Sequence, residues 1–335
     1  MTSDVGRYPY RAIEAALGER VVHGEWMSRH TTARAGGWAD LFIEAISADD
    51  LRDIVLLARQ QDVPHLILGG GSNILVSDAG IRGLVILNKA RQIKFRRSPR
   101  VRETLAQSGL GQTSTRNVKC QSGVILPTLA RECIKRGLGG LEWAIGVPGT
   151  VGGAVVGNAG AHGSDMAHSL TSVTVLDAEG NVKDWPAQEL GLGYRSSRLK
   201  SRHSPRVREI SNRQISNPVV LEAEFELRQS TREECEARAA EFADKRKRTQ
   251  PPGASLGSMF KNPPGDYAGR LIEAAGLKGT RVGNAEISPV HANFFVNLGG
   301  ANAKDIYSLI CLAREQVRQK FGVTLDLEIE LVGEW

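Results

Sequence analysis

The sequence predicts an α+β protein with mostly antiparallel sheets, and three observations carry that prediction. Two stretches alternate apolar and acidic residues with the period of a half-buried strand: Val219–Leu227, with Glu222, Glu224 and Glu226 on one face, and Leu325–Leu331, with Asp326, Glu328 and Glu330. Helical periods are scattered among the strands rather than in regular succession with them. Glycines gather between strand-like runs, where a parallel nucleotide-binding fold would place them between a strand and a helix.

At 335 residues the chain is long enough for two or three domains, and 41% hydrophobic with 24% charged residues describes a folded protein. No apolar run approaches the roughly 18 residues of a membrane span, and the opening MTSDVGRYPYR has no signal-peptide core. Cys120, Cys133, Cys235 and Cys311 are widely spaced, with no C-x-x-C, so neither a disulfide framework nor a zinc site is expected. A reducing cytoplasm fits that usage, with no metal.

In chain order, Trp26–Ala45 reads as a turn feeding a strand with Leu41, Phe42 and Ile43 at its centre. Ser47 caps a helix through Leu51, Ile54, Val55 and Ala58. The strand His65–Leu68 runs into Gly69, Gly70, Gly71, Ser72 and Asn73, and Ile74 opens another strand. Gly83–Leu87 is one more, after which Arg91–Arg116 is basic and aperiodic and reads as loop. Pro127 opens a helix that Gly137 ends. Val173–Asn181 is strand and hairpin turn, and Thr231 with Glu234 forms a capping box for a helix running into Lys245–Arg248. Helices at Tyr267–Ala275 and Ala303–Phe321 flank a strand at Asn293–Leu298.

The densest feature is Gly139–Gly163, with nine glycines in 25 residues and neither Lys nor Arg. Without Cβ atoms such a backbone can approach a phosphate or flat ring and point N–H groups at it, although a plain glycine-rich loop has the same composition. Between two strands, the upstream Gly69–Asn73 turn has to grip phosphate by backbone amides alone. There is neither a Rossmann fingerprint nor a P-loop.

Net charge is +6. The segments Lys94–Lys119 and Arg195–Arg213 carry +12 between them and the rest of the chain −6. Neither interleaves aromatics with its cations, so solvated basic loops that attract an anionic substrate are expected ahead of a nucleic-acid surface.

Six ordered motifs over about 300 residues resemble the UDP-N-acetylenolpyruvoylglucosamine reductase family. They are His30–Thr31–Thr32 with Gly36–Gly37 and Ala39–Asp40–Leu41; LGGGSNILVSD at Leu68–Asp78; the Gly137–Gly163 stretch; GYRSS at Gly193–Ser197; GSMFKNP at Gly257–Pro263; and LDLEIELVG at Leu325–Gly333. The short link from Pro263 to Ala268 resembles the compact subtype. The resemblance implies a two-subdomain FAD-binding module of the vanillyl-alcohol-oxidase type, residues 1–88 and 89–228, and a C-terminal substrate domain, 229–335. It implies reduction of UDP-N-acetylglucosamine enolpyruvate to UDP-N-acetylmuramate with FAD and NADPH, a cytoplasmic step of peptidoglycan precursor synthesis.

By motif position, Ser258 resembles the family's proton donor, Arg195 the arginine that meets the developing enolate, and Glu328 the glutamate acting beside it. FAD is expected on Gly69, Gly70, Gly71, Ser72, Asn73 and Ile74, and on Gly146, Val147, Pro148, Gly149, Gly152, Gly153, Ala154, Asn158 and Ala159. Asn262 is expected to touch substrate; Arg270 and His291 are further candidates to reach its anionic groups, and His291 equally suits a structural histidine. From the residues alone Ser258 and Asn262 also suit a turn, and Glu328 suits the solvent face of a strand. Where the family often has a lysine ahead of Gln-Pro, this chain has Thr249, with Lys247 two residues earlier. A monomer is expected, without nucleic-acid or membrane partners. The rival readings are another FAD-dependent oxidase or dehydrogenase of the same architecture, which has no use for GSMFKNP and GYRSS together, and a basic nucleic-acid-binding protein.

Overall fold

The computed structural model describes residues 8–97, 115–200 and 217–335. The opening residues 1–7 and the central parts of both basic segments lie outside them.

The first sheet has the order Val22–Trp26, Trp38–Ala45, Ile81–Asn88, His65–Leu68. Ser47 Oγ accepts the Asp50 N–H at 3.1 Å, starting the helix Ala48–Gln60, which buries Leu51, Ile54, Val55 and Ala58. This helix returns the chain in its original direction, so Trp38–Ala45 and His65–Leu68 both lie parallel to Ile81–Asn88 between them. The first sheet is thus parallel at its centre, unlike the antiparallel arrangement expected. His65–Leu68 is an edge strand, and its chain runs straight into the glycine turn.

The second sheet is antiparallel, in the order Val182–Pro186, Leu170–Leu176, Val219–Gln229, Thr115–Gln121, Ile93–Arg97. Val219–Gln229 is central and alternates as its sequence says: Ala223, Phe225 and Leu227 enter the second core, while Val219 and Leu221 reach the core under the first sheet. The expectation of loop from Arg91 to Arg116 fails at both ends. Ile93–Arg97 and Thr115–Gln121 are paired strands, with Ile93 and Phe95 packed on the core and Lys94 and Arg96 between them. The period was present but short, and the charges masked it. The helix Arg232–Thr249 has its Thr231–Glu234 capping box and packs along this second core through Cys235, Ala239 and Phe242. Its Arg238 pairs with the buried Glu142 at 2.7 Å.

The third sheet, Ala254–Ser258, Phe294–Asn297, Ala285–Ile287, Arg281–Val282, is antiparallel, with helices Ala268–Ala274 and Ala303–Phe321 sharing its core. The last alternating stretch is not one strand. Leu325, Ile329 and Leu331 are buried as expected, but the ladder is confined to Glu330–Val332, parallel to Ile74–Val76. Upstream, Leu327 bridges Phe260 and the Glu328 N–H donates to Met259 O at 2.8 Å. The segment changes hydrogen-bonding partner midway, from the third sheet's loop to the first unit. That crossing brings Glu328 beside Asn73, whose side chain donates to Glu328 O at 3.2 Å.

Candidate functional site

A cleft of about 850 Å³ runs between the three cores, its walls including residues 69–74, the Val147–Thr150 turn, Arg195, Ser258 and Glu328.

One end is built from backbone. A Cβ on Gly70 would lie 2.9 Å from Gly149 Cα, and one on Gly149 would lie 3.0 Å from Ser72 Oγ, so the two glycine stretches touch directly. Ser72 Oγ donates to Pro148 O at 3.2 Å. Gly71 has φ +58° and its Cβ would collide with His30 O, while its own carbonyl accepts the Thr32 N–H at 3.0 Å. Only glycine satisfies that site. The amides of Gly70, Gly71, Ser72 and Asn73 donate to no acceptor among the described residues. A row of free N–H groups in a crevice without side chains suits a pyrophosphate and the flat rings on either side of it, which is the fit FAD requires.

The other end is built from side chains on three separate elements. Arg195 sits in a tight turn whose ends, Gly193 and Ser196, exchange hydrogen bonds of 3.0 and 3.1 Å. Its φ is +53°, a left-handed conformation that costs a non-glycine residue on the order of 1–2 kcal/mol. The turn is held by the buried Asn158, whose amide donates to Gly193 O at 3.0 Å and Asp165 Oδ2 at 3.1 Å and accepts from Ala167 N–H at 3.2 Å. Arg195 Nε forms an ion pair with Glu328 Oε1 at 2.6 Å, and its buried N–H has no other partner among the described residues.

Glu328 is not the exposed carboxylate its polar strand face suggested; its side chain is 14% exposed. Burial pushes its carboxyl above the usual range, against the pull of Arg195, Lys200 and Lys261. Glu328 is thereby biased toward the protonated form, able to donate a hydrogen bond.

Ser258 ends the strand Ala254–Ser258, and its hydroxyl makes no hydrogen bond among the described residues. Asn293 fixes the following turn: its carbonyl accepts the Met259 N–H at 2.8 Å and its side chain brackets Phe260 N–H and O at 3.0 and 2.8 Å. The Glu328–Met259 backbone bond then sets Ser258 and Glu328 side by side.

Most expected cofactor residues line the cleft: Gly69 to Ile74, Val147, Pro148, Gly149, Gly152, Gly153, Ala154 and Ala159. Four expected residues, Asn158, Gly146, Asn262 and Arg270, do not. Asn158 acts behind the wall on the Arg195 turn, and Gly146 lies against Arg246. Asn262 is exposed, donates its N–H to Tyr194 Oη at 3.4 Å and accepts from Ala268 N–H at 3.1 Å. Arg270 is tied to Asp266 on the surface, and Thr249 caps Lys245 O at 2.9 Å. His291 does line the cleft, with burial lowering its pKa and its Nδ1 accepting the Asn293 N–H at 3.2 Å. The sequence reading missed Lys200, Lys245, Arg246 and Asn293; the three cations are lost among basic neighbours, and Asn293 has no period of its own.

Residues 39–185 match the FAD binding domain model, and residues 249–332 match the model of UDP-N-acetylenolpyruvoylglucosamine reductase, C-terminal domain. Curated relatives include UDP-N-acetylenolpyruvoylglucosamine reductase 2 of Symbiobacterium thermophilum, 40% identical over 94% of this chain and 92% of that protein. The reductase of Rubrobacter xylanophilus is 43% identical over 92% of this chain and 94% of its own length. Among solved structures, the reductase of Thermus caldophilus superimposes with a TM-score of 0.69 at 34% identity, covering 93% of this chain and 98% of that one. Two glycine turns meeting in a crevice, an arginine–glutamate pair at its end, and relatives matched over nearly their whole length lead to one assignment: the chain belongs to the UDP-N-acetylenolpyruvoylglucosamine reductase family of FAD-containing oxidoreductases.

Proposed function

We propose that this protein reduces the enolpyruvyl double bond of UDP-N-acetylglucosamine enolpyruvate, with NADPH as reductant, in the cytoplasmic assembly of peptidoglycan precursors. The observation that carries the proposal is the meeting of Ser258, Arg195 and Glu328, from three distant elements, at one end of the glycine-walled cleft.

The amides of residues 70–73 and the Val147–Gly149 turn would hold FAD, which would supply the relay of a hydride from NADPH to the substrate's terminal carbon. The protein's own task lies on the substrate. Negative charge develops on the carbon next to the carboxylate and spreads into it as an enolate. Arg195, a permanent cation beside Glu328, meets that charge. Glu328, whose carboxyl burial pushes above its usual range, stands beside Arg195; in its protonated form it adds a neutral hydrogen bond to the same oxygens, and in its ionised form it orients Arg195. Ser258 Oγ, free of other partners, gives its proton to the carbon and recovers one from solvent. Its weak acidity is matched by the strength of the carbanion it quenches.

The test is the visible spectrum of the purified protein under anaerobic conditions. The expected result is a yellow protein that bleaches with NADPH and recolours when the enolpyruvyl UDP-sugar is added. Bleaching without recolouring would refute the substrate. A protein still colourless after incubation with FAD would refute the cofactor.

A further inference from the structure

The glycine turn at residues 69–73 contains no cation, and a pyrophosphate brings two negative charges into a half-enclosed cleft. Amide N–H groups carry only partial charges, so a cation at the cleft wall is expected nearby. The helix Arg232–Thr249 supplies one. Its Phe242, Lys245 and Arg246 follow at spacings of three and four and share a face. Lys245 and Arg246 both line the cleft.

Three observations single out Arg246. It makes no ion pair among the described residues, whereas the same helix's Arg238 and Arg232 pair with Glu142 and Glu236. Burial lowers its pKa with no opposing carboxylate, so its charge is desolvated without compensation from the protein. Its stem lies on Gly146, where an added Cβ would stand 2.7 Å from Arg246 Cδ. Gly146 therefore leads directly into the Val147–Gly149 turn that packs on the glycine cradle and also makes room for the arginine. Beside them, His162 in a left-handed conformation (φ +56°) stacks on Phe242 at 4.7 Å and 13°. Burial, with Lys245 and Arg246, lowers the His162 pKa, leaving a neutral aromatic wall next to two cations.

We propose that Arg246, assisted by Lys245, is the cation that receives a nucleotide phosphate in this cleft, and that Gly146 is glycine so that this guanidinium can reach it. The proposal rests on the reading that the cleft holds FAD and admits NADPH, and either nucleotide offers the required phosphate. Proximity to the Val147–Gly149 turn favours the FAD pyrophosphate. A guanidinium on a phosphate is a charge-assisted, forked contact, and losing it weakens binding roughly 10- to 100-fold.

The experiment titrates FAD into flavin-free wild-type, Arg246→Gln, Arg246→Lys and Gly146→Ala proteins, following flavin fluorescence at two salt concentrations, with circular dichroism to show that each is folded. Steady-state KM for NADPH and for NADH, which lacks the 2′-phosphate, is measured on the reconstituted enzymes. The expected result is a fall in FAD affinity of about 10- to 100-fold in Arg246→Gln, with a shallower salt dependence, a smaller fall in Gly146→Ala, and partial recovery in Arg246→Lys. Unchanged FAD affinity with KM raised for NADPH and not for NADH would place the phosphate on the second nucleotide instead, and the cation's role would stand. FAD affinity and both KM values unchanged in a folded Arg246→Gln protein would overturn the proposal. A wild-type protein that binds no FAD would overturn the reading beneath it as well.

Discussion

At one end of the cleft the walls are backbone, and at the other they are side chains. Gly70 touches Gly149, and the neighbouring amides are left without acceptors. Adjoining that backbone wall, through the contact of Asn73 with the Glu328 backbone, Arg195, Glu328 and Ser258 arrive from a strained turn, a crossing segment and a strand end. A backbone wall binds what is flat or anionic and does not change during a reaction. A side-chain wall can hold a proton and a localised charge. Binding and chemistry are therefore separable here, so changes at each end should fail in different ways.

The largest expected effect is at the backbone end. Gly71→Val forces a β-branched residue into φ +58° and against His30 O. The φ alone costs on the order of 1–2 kcal/mol, and the collision adds to it. The purified variant should be colourless and should not bind added FAD, as measured by flavin absorbance. A yellow Gly71→Val protein would show that the cradle is not a backbone device.

Next comes the support of the side-chain end. Asn158→Ala removes three hydrogen bonds around the Gly193–Ser196 turn and leaves Gly193 O without that donor. The loss should lower thermal stability by about 1–3 kcal/mol. Reoxidation of the reduced enzyme by substrate should slow, while flavin content stays normal. Flavin loss equal to the rate loss would move Asn158 back to the cofactor end.

The smallest effect is a pH dependence of stability. Folded Glu328 holds its proton to higher pH than the unfolded chain, whose glutamates titrate near 4.3. Its contribution is therefore fully present below about pH 4 and is lost as pH rises through the raised folded value. Glu328→Gln keeps the shape without the charge. Its melting temperature relative to wild type should rise between pH 4 and pH 8, by a few degrees at most. A difference constant with pH would mean that folding leaves the Glu328 carboxyl unshifted, and one that falls would mean that folding favours its ionised form.

The division between the two ends also explains what the sequence made legible. Glycine density is visible in a string of letters because no other residue does its work, and Gly69–Gly71 and Gly149 were readable without a structure. Local devices were equally plain: Ser47 and Thr231 cap the helices they announce, and Val219–Leu227 alternates because its two faces meet different surroundings. Glu328 was not readable from periodicity, because its burial comes from a segment that leaves one sheet for another halfway along. Arg246 was hidden for a related reason: in Lys245–Arg248 all four residues are basic, and only the helix's docking decides which of them meets the cleft. Ser258, Arg195 and Glu328 are proposed through family motifs. Nothing local in a serine between glycine and methionine specifies an acid.

The most direct test of the separation between the two ends measures the half-reactions of Ser258→Ala one at a time by anaerobic stopped-flow absorbance. Flavin reduction by NADPH should proceed at the wild-type rate, because the backbone end is intact. Reoxidation by the enolpyruvyl UDP-sugar should slow by roughly 10²- to 10⁴-fold, because the proposed proton donor is gone. Equal slowing of both half-reactions would contradict this, showing that the two ends of the cleft do not act separately.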